Sequence, residues 1–442
     1  MGKLQQIRVV SAMPGSGKTT WVFEHIKNNK HEPWIFVSPY LQECGGYDSS
    51  KDINHNGRIR DVLPDMNFKL PDPLHRGDTK SRAFKRLIRQ GENISTTHQL
   101  WRMLDDECAG IIEEKGYNII IDESLNLIET YEAVDQNDIR GLIRSKMIIL
   151  NEVDGSLKFN DDDYPNYKGI HYEVKKLCDI GALYLYGDEV VIHQVPPKVM
   201  MSAKEVIVLT YGFEHSIMGA WCEVCNIPYY IDKSVVLYKS NNEIIDELLH
   251  RINLIPIPAS ISRYDGYMNS SIFTKSWFDK VDSCEEGEEI LDKIKSSVVS
   301  VVKNKFDKGN IFWTTFKDYK VDLQGLRYTR GKNIKLDGKE WKRDPFVAKN
   351  MRASNEYRDC TNCIYLVDVR LNPYLFNYLK GKGGKSLRED IYALLEMIQL
   401  VFRGAVRNQE GDPLGNHLNL LVGSPRMYRL LNDWLNGKIV VN

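Results

Sequence analysis

A glycine-rich turn between an apolar strand and a helix is the feature that most constrains the fold of this 442-residue chain. The apolar residues Ile7, Val9 and Val10 lead into segment 11–20, which reads Ser-Ala-Met-Pro-Gly-Ser-Gly-Lys-Thr-Thr. Glycines in such a turn let the backbone N–H groups point at an anion, at the positive end of the following helix. The segment therefore predicts a phosphate-binding loop in an α/β domain.

The residues of this loop predict a nucleotide site. Gly15 and Gly17 supply backbone freedom, Lys18 reaches the β and γ phosphates, and the hydroxyl of Thr19 binds Mg²⁺. Ala12 stands where the usual pattern has its first glycine, and a glycine turn that binds nothing is the alternative. The predicted nucleotide-binding residues are Pro14, Gly15, Ser16, Gly17, Lys18, Thr19 and Thr20.

Two adjacent acids, Asp122 and Glu123, end the apolar strand 117–121. The carboxyl ends of parallel strands are where open α/β sheets bind ligands. We therefore predict that Asp122 holds Mg²⁺ and that Glu123 polarises the water that attacks the γ phosphate of ATP. A solvated strand end without chemistry is the alternative.

Composition limits the class of protein. A hydrophobic content of 42%, a charged content of 27% and a net charge of -1 are typical of a globular chain. Any nucleic-acid-binding surface must therefore be local. Because no apolar run approaches the roughly twenty residues of a membrane span and no leader precedes the first strand, we expect a cytoplasmic protein without a membrane partner.

The cysteines include two Cys-x-x-Cys pairs, Cys222/Cys225 and Cys360/Cys363. Two such pairs could supply the four thiolates of a zinc site. They lie far apart in sequence, and the second pair runs into the apolar strand 364–369. We expect buried free thiols, with zinc as the alternative.

Strands and helices alternate over the first two hundred residues, which predicts a parallel sheet with helices on its faces. Residues 45–79, rich in Gly, Pro, Asn and Asp, are predicted to form an exposed loop. Residues 81–90 are predicted as a basic helix, whose cations either contact phosphate or form a solvated face.

The ordered motifs resemble those of the first RecA-like domain of helicase superfamily 2, most closely the DEAD/DEAH-type helicases of phages and prophages. The motifs are Ala12 to Thr20, Ser38-Pro39-Tyr40, Thr96-Thr97-His98, Asp122-Glu123 and Val208-Leu209-Thr210-Tyr211. The resemblance implies that Pro39, Tyr40, Thr97 and His98 contact nucleic acid and that Thr210 couples hydrolysis to its movement. Few residues precede the first strand, which leaves base selectivity for ATP open.

The interval from Glu123 to Thr210 is longer than the family core needs, which implies an inserted subdomain at about 131–199. Within it, apolar alternation predicts a hairpin from 182–186 to 190–193 through Gly187-Asp188. A surface embellishment and a wedge or partner-docking element are the alternatives for its role.

The second half carries a basic stretch at 303–358, with fifteen Lys or Arg against seven Asp or Glu. Cations with aromatic faces for stacking are what single-strand binding requires, and a solvated loop with locally packed tyrosines is the alternative. The interleaved aromatics are Tyr319, Tyr328, Trp341, Phe346 and Tyr357. Thr315, at the end of a strand that finishes in hydroxyls, is assigned to nucleic acid. Asn355 is assigned to it as well, because Ala353-Ser354-Asn355 resembles the family's penultimate motif.

Residues 396–407 are predicted as one helix that holds Gln399, Arg403 and Arg407 on one face, at spacings of four. Such a stripe would face the γ phosphate on the first domain. We predict catalytic roles for all three residues, with either arginine as the finger that stabilises charge in the transition state.

These features predict an α/β protein of two RecA-like P-loop domains with parallel sheets, 1–233 and 234–442, plus the insertion. ATP and Mg²⁺ would bind between the domains. The predicted function is an ATP-dependent helicase or translocase on single-stranded or forked DNA in phage replication or recombination, in the host cytoplasm, with replication or recombination proteins as candidate partners. A nucleic-acid-binding ATPase switch and a packaging-type motor are the alternatives.

Overall fold

The computed structural model describes residues 4, 6–48, 53–75, 78–187, 190–336, 339–348, 355–408, 411–413 and 415–441. Through residue 231 the strands are β1 (Ile7–Ser11), β2 (Trp34–Ser38), β3 (Gly46–Asp48), β4 (Ile53–His55), β5 (Ile94–Thr97), β6 (Asn118–Asp122), β7 (Ile128–Thr130), β8 (Ile148–Leu150), β9 (Leu157–Phe159), β10 (Leu183–Tyr186), β11 (Val190–Gln194), β12 (Glu205–Thr210) and β13 (Tyr229–Ile231). The helices are α1 (Lys18–Asn28), α2 (Leu41–Cys44), α3 (Arg58–Val62), α4 (Lys80–Gln90), α5 (His98–Trp101), α6 (Asp106–Lys115), α7 (Gln136–Arg144), α8 (Tyr172–Asp179), α9 (Lys198–Met201) and α10 (Ile217–Val224).

The second half has the same alternation. Its helices are α11 (Asn241–Arg251), α12 (Ala259–Ser262), α13 (Lys275–Asp282), α14 (Gly287–Lys305), α15 (Lys320–Leu323), α16 (Pro373–Gly381), α17 (Glu389–Val401) and α18 (Pro425–Leu435). Its strands are β14 (Ile252–Ile255), β15 (Asn310–Thr314), β16 (Lys332–Leu336), β17 (Lys339–Arg343), β18 (Cys360–Tyr365) and β19 (Leu418–Val422). Short 3-10 turns lie at Pro64–Met66, Phe213–His215, Tyr267–Asn269, Lys317–Tyr319, Asn355–Tyr357 and Ala405–Arg407.

The first sheet is parallel and runs in the order β13-β1-β12-β6-β2-β5. Successive residues of its strands face opposite buried layers: Ile119 and Ile121 belong to one apolar cluster and Ile120 to the other. A parallel sheet covered on both faces requires this continuous apolar character. Because β12 lies between β1 and β6, its end at Thr210 falls between the phosphate loop and the two acids.

The second sheet is also parallel, in the order β14-β19-β18-β15. Here too alternate residues face opposite layers: Phe312 and Leu420 join one cluster, and Trp313 and Leu421 join the other. The predicted α/β fold with two parallel sheets is confirmed.

Residues 45–79 are not the exposed loop that their composition predicts. β3 and β4 form an antiparallel hairpin, and Ile59, Leu63 and Phe68 are buried against the first sheet. The prediction was wrong because a few well-spaced apolar residues anchor an otherwise polar segment.

A separate antiparallel sheet, in the order β10-β11-β7, and an apolar cluster that includes Ile139, Phe159 and Val191 occupy the region of the predicted insertion. β10 and β11 pair as the predicted hairpin, although Asp188 of its turn lies outside the described residues. Among the described residues, no helix is both long and apolar enough to span a bilayer.

Residues 371–387, which we call the crossing arm, leave the second sheet and pack on the first half of the chain. The arm includes α16, which contacts β7 and α10. Its Leu375, Tyr378 and Leu379 are buried in the same cluster as β1 and β6, and the Tyr378 hydroxyl donates to Gln194 Oε1 at 2.9 Å. The two halves are therefore joined by an apolar contact as well as by the chain.

Leu379→Ala is expected to lower the free energy of unfolding by about 2–5 kcal/mol, because it leaves a cavity in this fully buried contact. Urea unfolding of the whole chain measures the change. Leu326→Ala, at a side chain that is 96% exposed, is the matched control and should change stability by less than about 0.5 kcal/mol. Equal effects of the two substitutions would contradict the buried position of the arm.

Candidate nucleotide site

The phosphate loop has the conformation that its glycines predict. Gly15 and Gly17 have φ values of +83° and +97°, in the left-handed region that favours glycine, and α1 begins directly after the turn. The Ser16 side chain is buried, and its Oγ has no hydrogen-bond partner among the described residues. A curled backbone, a helix N-terminus and an unsatisfied hydroxyl together suit a phosphate.

Lys18 lies at the floor of the cleft and is almost fully buried. Its Nζ donates to the carbonyl oxygens of Ala12 at 2.5 Å and Met13 at 3.0 Å. Burial lowers the pKa of the Lys18 ammonium, whereas the charges of Glu123 and Asp122 oppose that shift. The carboxylates therefore help to keep a cation at the point where phosphates would bind.

The two acids have different surroundings. Asp122 is buried and accepts a hydrogen bond from Ser38 Oγ at 3.3 Å. Burial, together with the charges of Glu123 and Glu43, raises the pKa of Asp122 to about 8. Glu123 has a φ of +63°, which is uncommon for a residue with a side chain, and Thr210 Oγ1 lies 3.5 Å from its Oε2. The strand end thus turns Glu123 away from the regular strand direction, beside Thr210.

Without nucleotide or metal, stability is expected to fall as the pH rises from about 4 to about 8. An aspartate in the unfolded chain titrates near pH 4, so in this window the folded protein binds more protons at Asp122 than the unfolded chain does. Asp122→Asn should flatten the fall, and urea unfolding between pH 5 and pH 8 measures it. Asp318→Asn, at an exposed carboxylate, is the control. An unchanged slope in Asp122→Asn would contradict the raised pKa.

The second half of the chain completes the cleft with Gln399, Arg403 and Arg407. These residues do not lie on one helix as predicted, because α17 ends at Val401 and Arg407 belongs to a separate 3-10 turn. Gly404 has extended backbone, and a Cβ there would lie 3.0 Å from the side chains of Leu418 and Phe312. The chain passes too close to the second sheet at Gly404 for the helix to continue. All three predicted side chains nevertheless line one cleft.

The cleft has a volume of about 280 Å³. It contains every predicted nucleotide-binding and catalytic residue except Ser16, which is buried in the loop itself. Those lining residues are Pro14, Gly15, Gly17, Lys18, Thr19, Thr20, Asp122, Glu123, Gln399, Arg403 and Arg407. Thr19 and Asp122 offer a hydroxyl and a carboxylate oxygen, the hard donors that Mg²⁺ prefers beside phosphate oxygens.

The sequence prediction missed part of the cleft. Glu43, Arg58 and Phe402 also line it, and Arg58 Nη1 lies 3.7 Å from Glu43 Oε1. Arg58 belongs to the segment that was predicted as an exposed loop, so no local signal marked it. Tyr40, which we assigned to nucleic acid, lines this cleft as well.

The other residues assigned to nucleic acid lie outside the cleft. Thr97 caps α5, and His98 Nε2 lies 3.0 Å from the carbonyl oxygen of Asp122, so this region is linked to the acidic strand end. Pro39 is half-buried after β2. Thr315 is fully buried and donates to the carbonyl oxygen of Leu366 at 3.1 Å, so its hydroxyl is not open to a nucleic acid in this structure.

Four of the five aromatic residues of the basic stretch are not the open stacking faces that we expected, whereas Trp341 is half-buried. Tyr328, Phe346 and Tyr357 are buried, and Tyr319 stacks on Phe278 with ring centroids 4.2 Å apart. They are core residues because the stretch packs against both faces of the second sheet. Ala353 and Ser354 lie outside the described residues, as does the side chain of Asn355.

Many of the predicted surface cations form ion pairs. On α4, Lys85 pairs with Asp105 and Glu107, each at 2.6 Å. In the basic stretch, Lys320 and Arg343 pair with nearby aspartates. Several exposed cations of this stretch have no ion-pair partner among the described residues, and they include Lys317, Arg327, Arg330 and Lys342.

The two Cys-x-x-Cys pairs do not meet. Cys222 lies in the core of the first sheet, whereas Cys360 and Cys363 lie in the core of the second. Burial raises the pKa of the Cys360 thiol to about 12. Within the described ranges, no group of three or more His, Cys, Asp or Glu side chains is placed to hold a metal ion.

Known proteins are similar to this chain at two levels: a family model matches its second half, and a relative matches nearly all of it. Residues 250–435 match a family described as the YonV C-terminal Rossmann-like domain. The SPbeta prophage-derived uncharacterized protein YonV of Bacillus subtilis (strain 168) is 28% identical over 459 residues, which cover 98% of this chain and 100% of the relative. This likeness agrees with the predicted resemblance to prophage-encoded proteins.

Two solved structures are similar over most of the chain. Xpd4 of S. tokodaii has a TM-score of 0.45 at 13% identity and covers 98% of this chain and 94% of its own. A structure called XPD_APO has a TM-score of 0.46 at 12% identity, with 95% and 92% covered.

Proposed function

We propose that this protein is a nucleic-acid-dependent ATPase of the helicase or translocase type, with RecA-like domains at 1–233 and 234–442. One observation carries the proposal: the phosphate loop and the acids of the first sheet face Gln399, Arg403 and Arg407 of the second half across one cleft. A nucleotide held by one domain and touched by arginines of the other can couple hydrolysis to domain movement.

Each group in the cleft has a task in hydrolysis. The loop N–H groups and Lys18 would hold the phosphates, and Thr19 and Asp122 would hold Mg²⁺, which neutralises phosphate charge when bound. Glu123, turned out of the strand by its positive φ, would orient the attacking water and accept its proton. Arg403 and Arg407 would stabilise charge on the transferred phosphoryl group.

The described positive surface supports a nucleic-acid partner. Lys317, Arg327, Arg330 and Lys342 are exposed in the basic stretch, where they can contact phosphates without competition from a described carboxylate. With Tyr328, Phe346 and Tyr357 buried, the stretch would bind mainly by charge rather than by stacking. We propose single-stranded or forked DNA as the partner, and a role in phage replication or recombination in the host cytoplasm.

The test is steady-state ATP hydrolysis with no nucleic acid, single-stranded DNA, duplex DNA and single-stranded RNA. We expect strong stimulation by single-stranded DNA. Asp138→Asn, at an exposed carboxylate outside the cleft, is the control substitution, and its rate of ATP hydrolysis should equal that of the native chain. Hydrolysis indifferent to every polymer would overturn the nucleic-acid dependence, and no hydrolysis under any condition would overturn the ATPase itself.

Replacing four of the exposed cations, Lys317, Arg327, Arg330 and Lys342, together by alanine is expected to weaken binding of single-stranded DNA. The slope of log affinity against log salt should fall by up to about 3, because each lost phosphate contact no longer releases counterions. Fluorescence anisotropy at several salt concentrations measures both. The control removes four exposed lysines elsewhere, Lys27, Lys30, Lys168 and Lys233. Equal losses in the two variants would mean that the stretch is not a binding surface.

The crossing arm favours a second candidate, an ATPase that switches between nucleic-acid-bound states without separating strands. The arm buries Leu375 and Leu379 in the first half, and Ser386 N donates to Glu223 Oε2 at 3.1 Å. Such contacts limit how far the domains can separate. A strand-separation assay on forked DNA decides between the two functions, since a switch would hydrolyse ATP and leave the fork paired.

A further inference from the structure

A second cavity adjoins the nucleotide cleft. Its volume is about 130 Å³, and it shares four lining residues with the cleft: Pro14, Gly15, Phe402 and Arg407. The remaining walls come from segment 238–251 and from Val406 and Asn408. The cavity is therefore the space that adjoins the phosphate loop on the side of segment 238–251.

An exposed tyrosine lines this cavity. Tyr238 is 79% exposed, and its Cβ lies 3.3 Å from the position that a Cβ on Gly17 would occupy. Its ring makes neither a ring contact nor a hydrogen bond with the described residues. A large aromatic side chain left open to solvent beside a phosphate loop has no role in the core.

The backbone around Tyr238 is nevertheless held to the loop. Lys239 N donates to the carbonyl oxygen of Ser16 at 3.4 Å, and Met13 N donates to Asn241 Oδ1 at 2.8 Å. The ring is therefore presented from a fixed backbone position. Because the backbone is already ordered, only the side-chain rotamer has to be fixed when a flat ligand stacks on the ring.

We propose that Tyr238 stacks on the base of the bound nucleotide, and that the second cavity holds the base and ribose. The inference rests on the proposed nucleotide site, because phosphates held at Gly15–Thr19 require the base to lie in adjoining space. Phe402 and Val406 supply an apolar wall for a planar ring. Aromatic stacking on a base is favourable and tolerates every base, because each has a π-face.

The polar groups of the cavity are already paired, which sets its selectivity. Glu247 forms ion pairs with Lys239 and with Arg251, the latter at 3.1 Å. Polar groups that are already paired with one another leave few donors or acceptors to form hydrogen bonds with the edge of a base. The site should therefore prefer purines, which offer the larger face, and should separate ATP from GTP weakly.

Isothermal titration calorimetry of the whole chain with Mg²⁺ and non-hydrolysable analogues of ATP, GTP and CTP tests this site. Tyr238→Ala should weaken binding of the ATP and GTP analogues about tenfold and leave binding of inorganic tripolyphosphate unchanged, whereas Tyr238→Phe should bind as the native chain does. Tyr374→Ala, at another exposed tyrosine, is the matched control.

The outcomes separate this proposal from the nucleotide site itself. If Lys18→Ala abolishes binding and Tyr238→Ala does not weaken it, the base platform is wrong and the phosphate site stands. If Tyr238→Ala weakens tripolyphosphate equally, the side chain shapes the loop and does not stack, which also overturns the proposal. If the native chain binds no nucleotide, both fall together.

Discussion

Lys18→Ala is expected to lower kcat/KM for ATP hydrolysis by at least about 10²- to 10³-fold, the usual cost of losing one preorganised charge-stabilising donor. Lys18 is buried at the cleft floor, and the charges of Glu123 and Asp122 favour its protonated form. Alanine would remove a cation whose charge acts on Asp122, at the point where phosphates would bind. Triphosphate binding should therefore weaken as well as hydrolysis.

The measurement is hydrolysis under the condition that most stimulates the native chain, together with calorimetric titration of an ATP analogue. Lys27→Ala is the matched control, since Lys27 is an exposed lysine on the same helix, α1. Its hydrolysis should equal that of the native chain. Native-like hydrolysis in Lys18→Ala would place the reaction outside this cleft.

The loop and the acidic strand could be predicted from sequence because each is a local pattern. Gly15 and Gly17 adopt the left-handed backbone that their lack of a Cβ allows, and Asp122 follows a run of buried isoleucines. The positive φ of Glu123 could not be predicted, since it depends on how the strand end meets Thr210 of β12.

The arginines of the second half show how a correct site can follow from a wrong element. Spacings of four predict a continuous helix for Gln399, Arg403 and Arg407, but the chain leaves α17 after Val401. Periodicity reports only which residues share a face of a helix. At Gly404 the backbone passes close to the side chain of Leu418. This tertiary contact cannot be predicted from a local sequence pattern.

Other features depend on long-range packing and could not be predicted from the sequence. The apolar residues of the crossing arm have the pattern of any amphipathic helix, so nothing local indicates that Leu379 belongs to the core of the other half. The buried aromatics of the basic stretch are a similar case. Tyr328 and Tyr357 alternate with cations in sequence, yet the structure turns the rings inward and leaves several cations exposed.

Glu123→Gln is expected to lower hydrolysis by about 10²- to 10⁴-fold while nucleotide binding persists, because glutamine keeps the side-chain shape but cannot accept a proton. Losing the negative charge of Glu123 also removes one cause of the raised pKa of Asp122, so Asp122 ionises more readily and remains able to hold Mg²⁺. The variant should therefore accumulate in its ATP-bound state.

Accumulation of the ATP-bound state distinguishes this variant from a misfolded one by its retention of DNA. With ATP and Mg²⁺ present, Glu123→Gln should hold single-stranded DNA longer than the native chain does in a filter-retention chase, because the step that releases the strand is blocked. Glu114→Gln, at an exposed glutamate on α6, should behave as the native chain. A Glu123→Gln variant that hydrolyses at the native rate would remove Glu123 from the chemistry. One that neither hydrolyses ATP nor retains DNA would break the link between this cleft and a nucleic-acid strand.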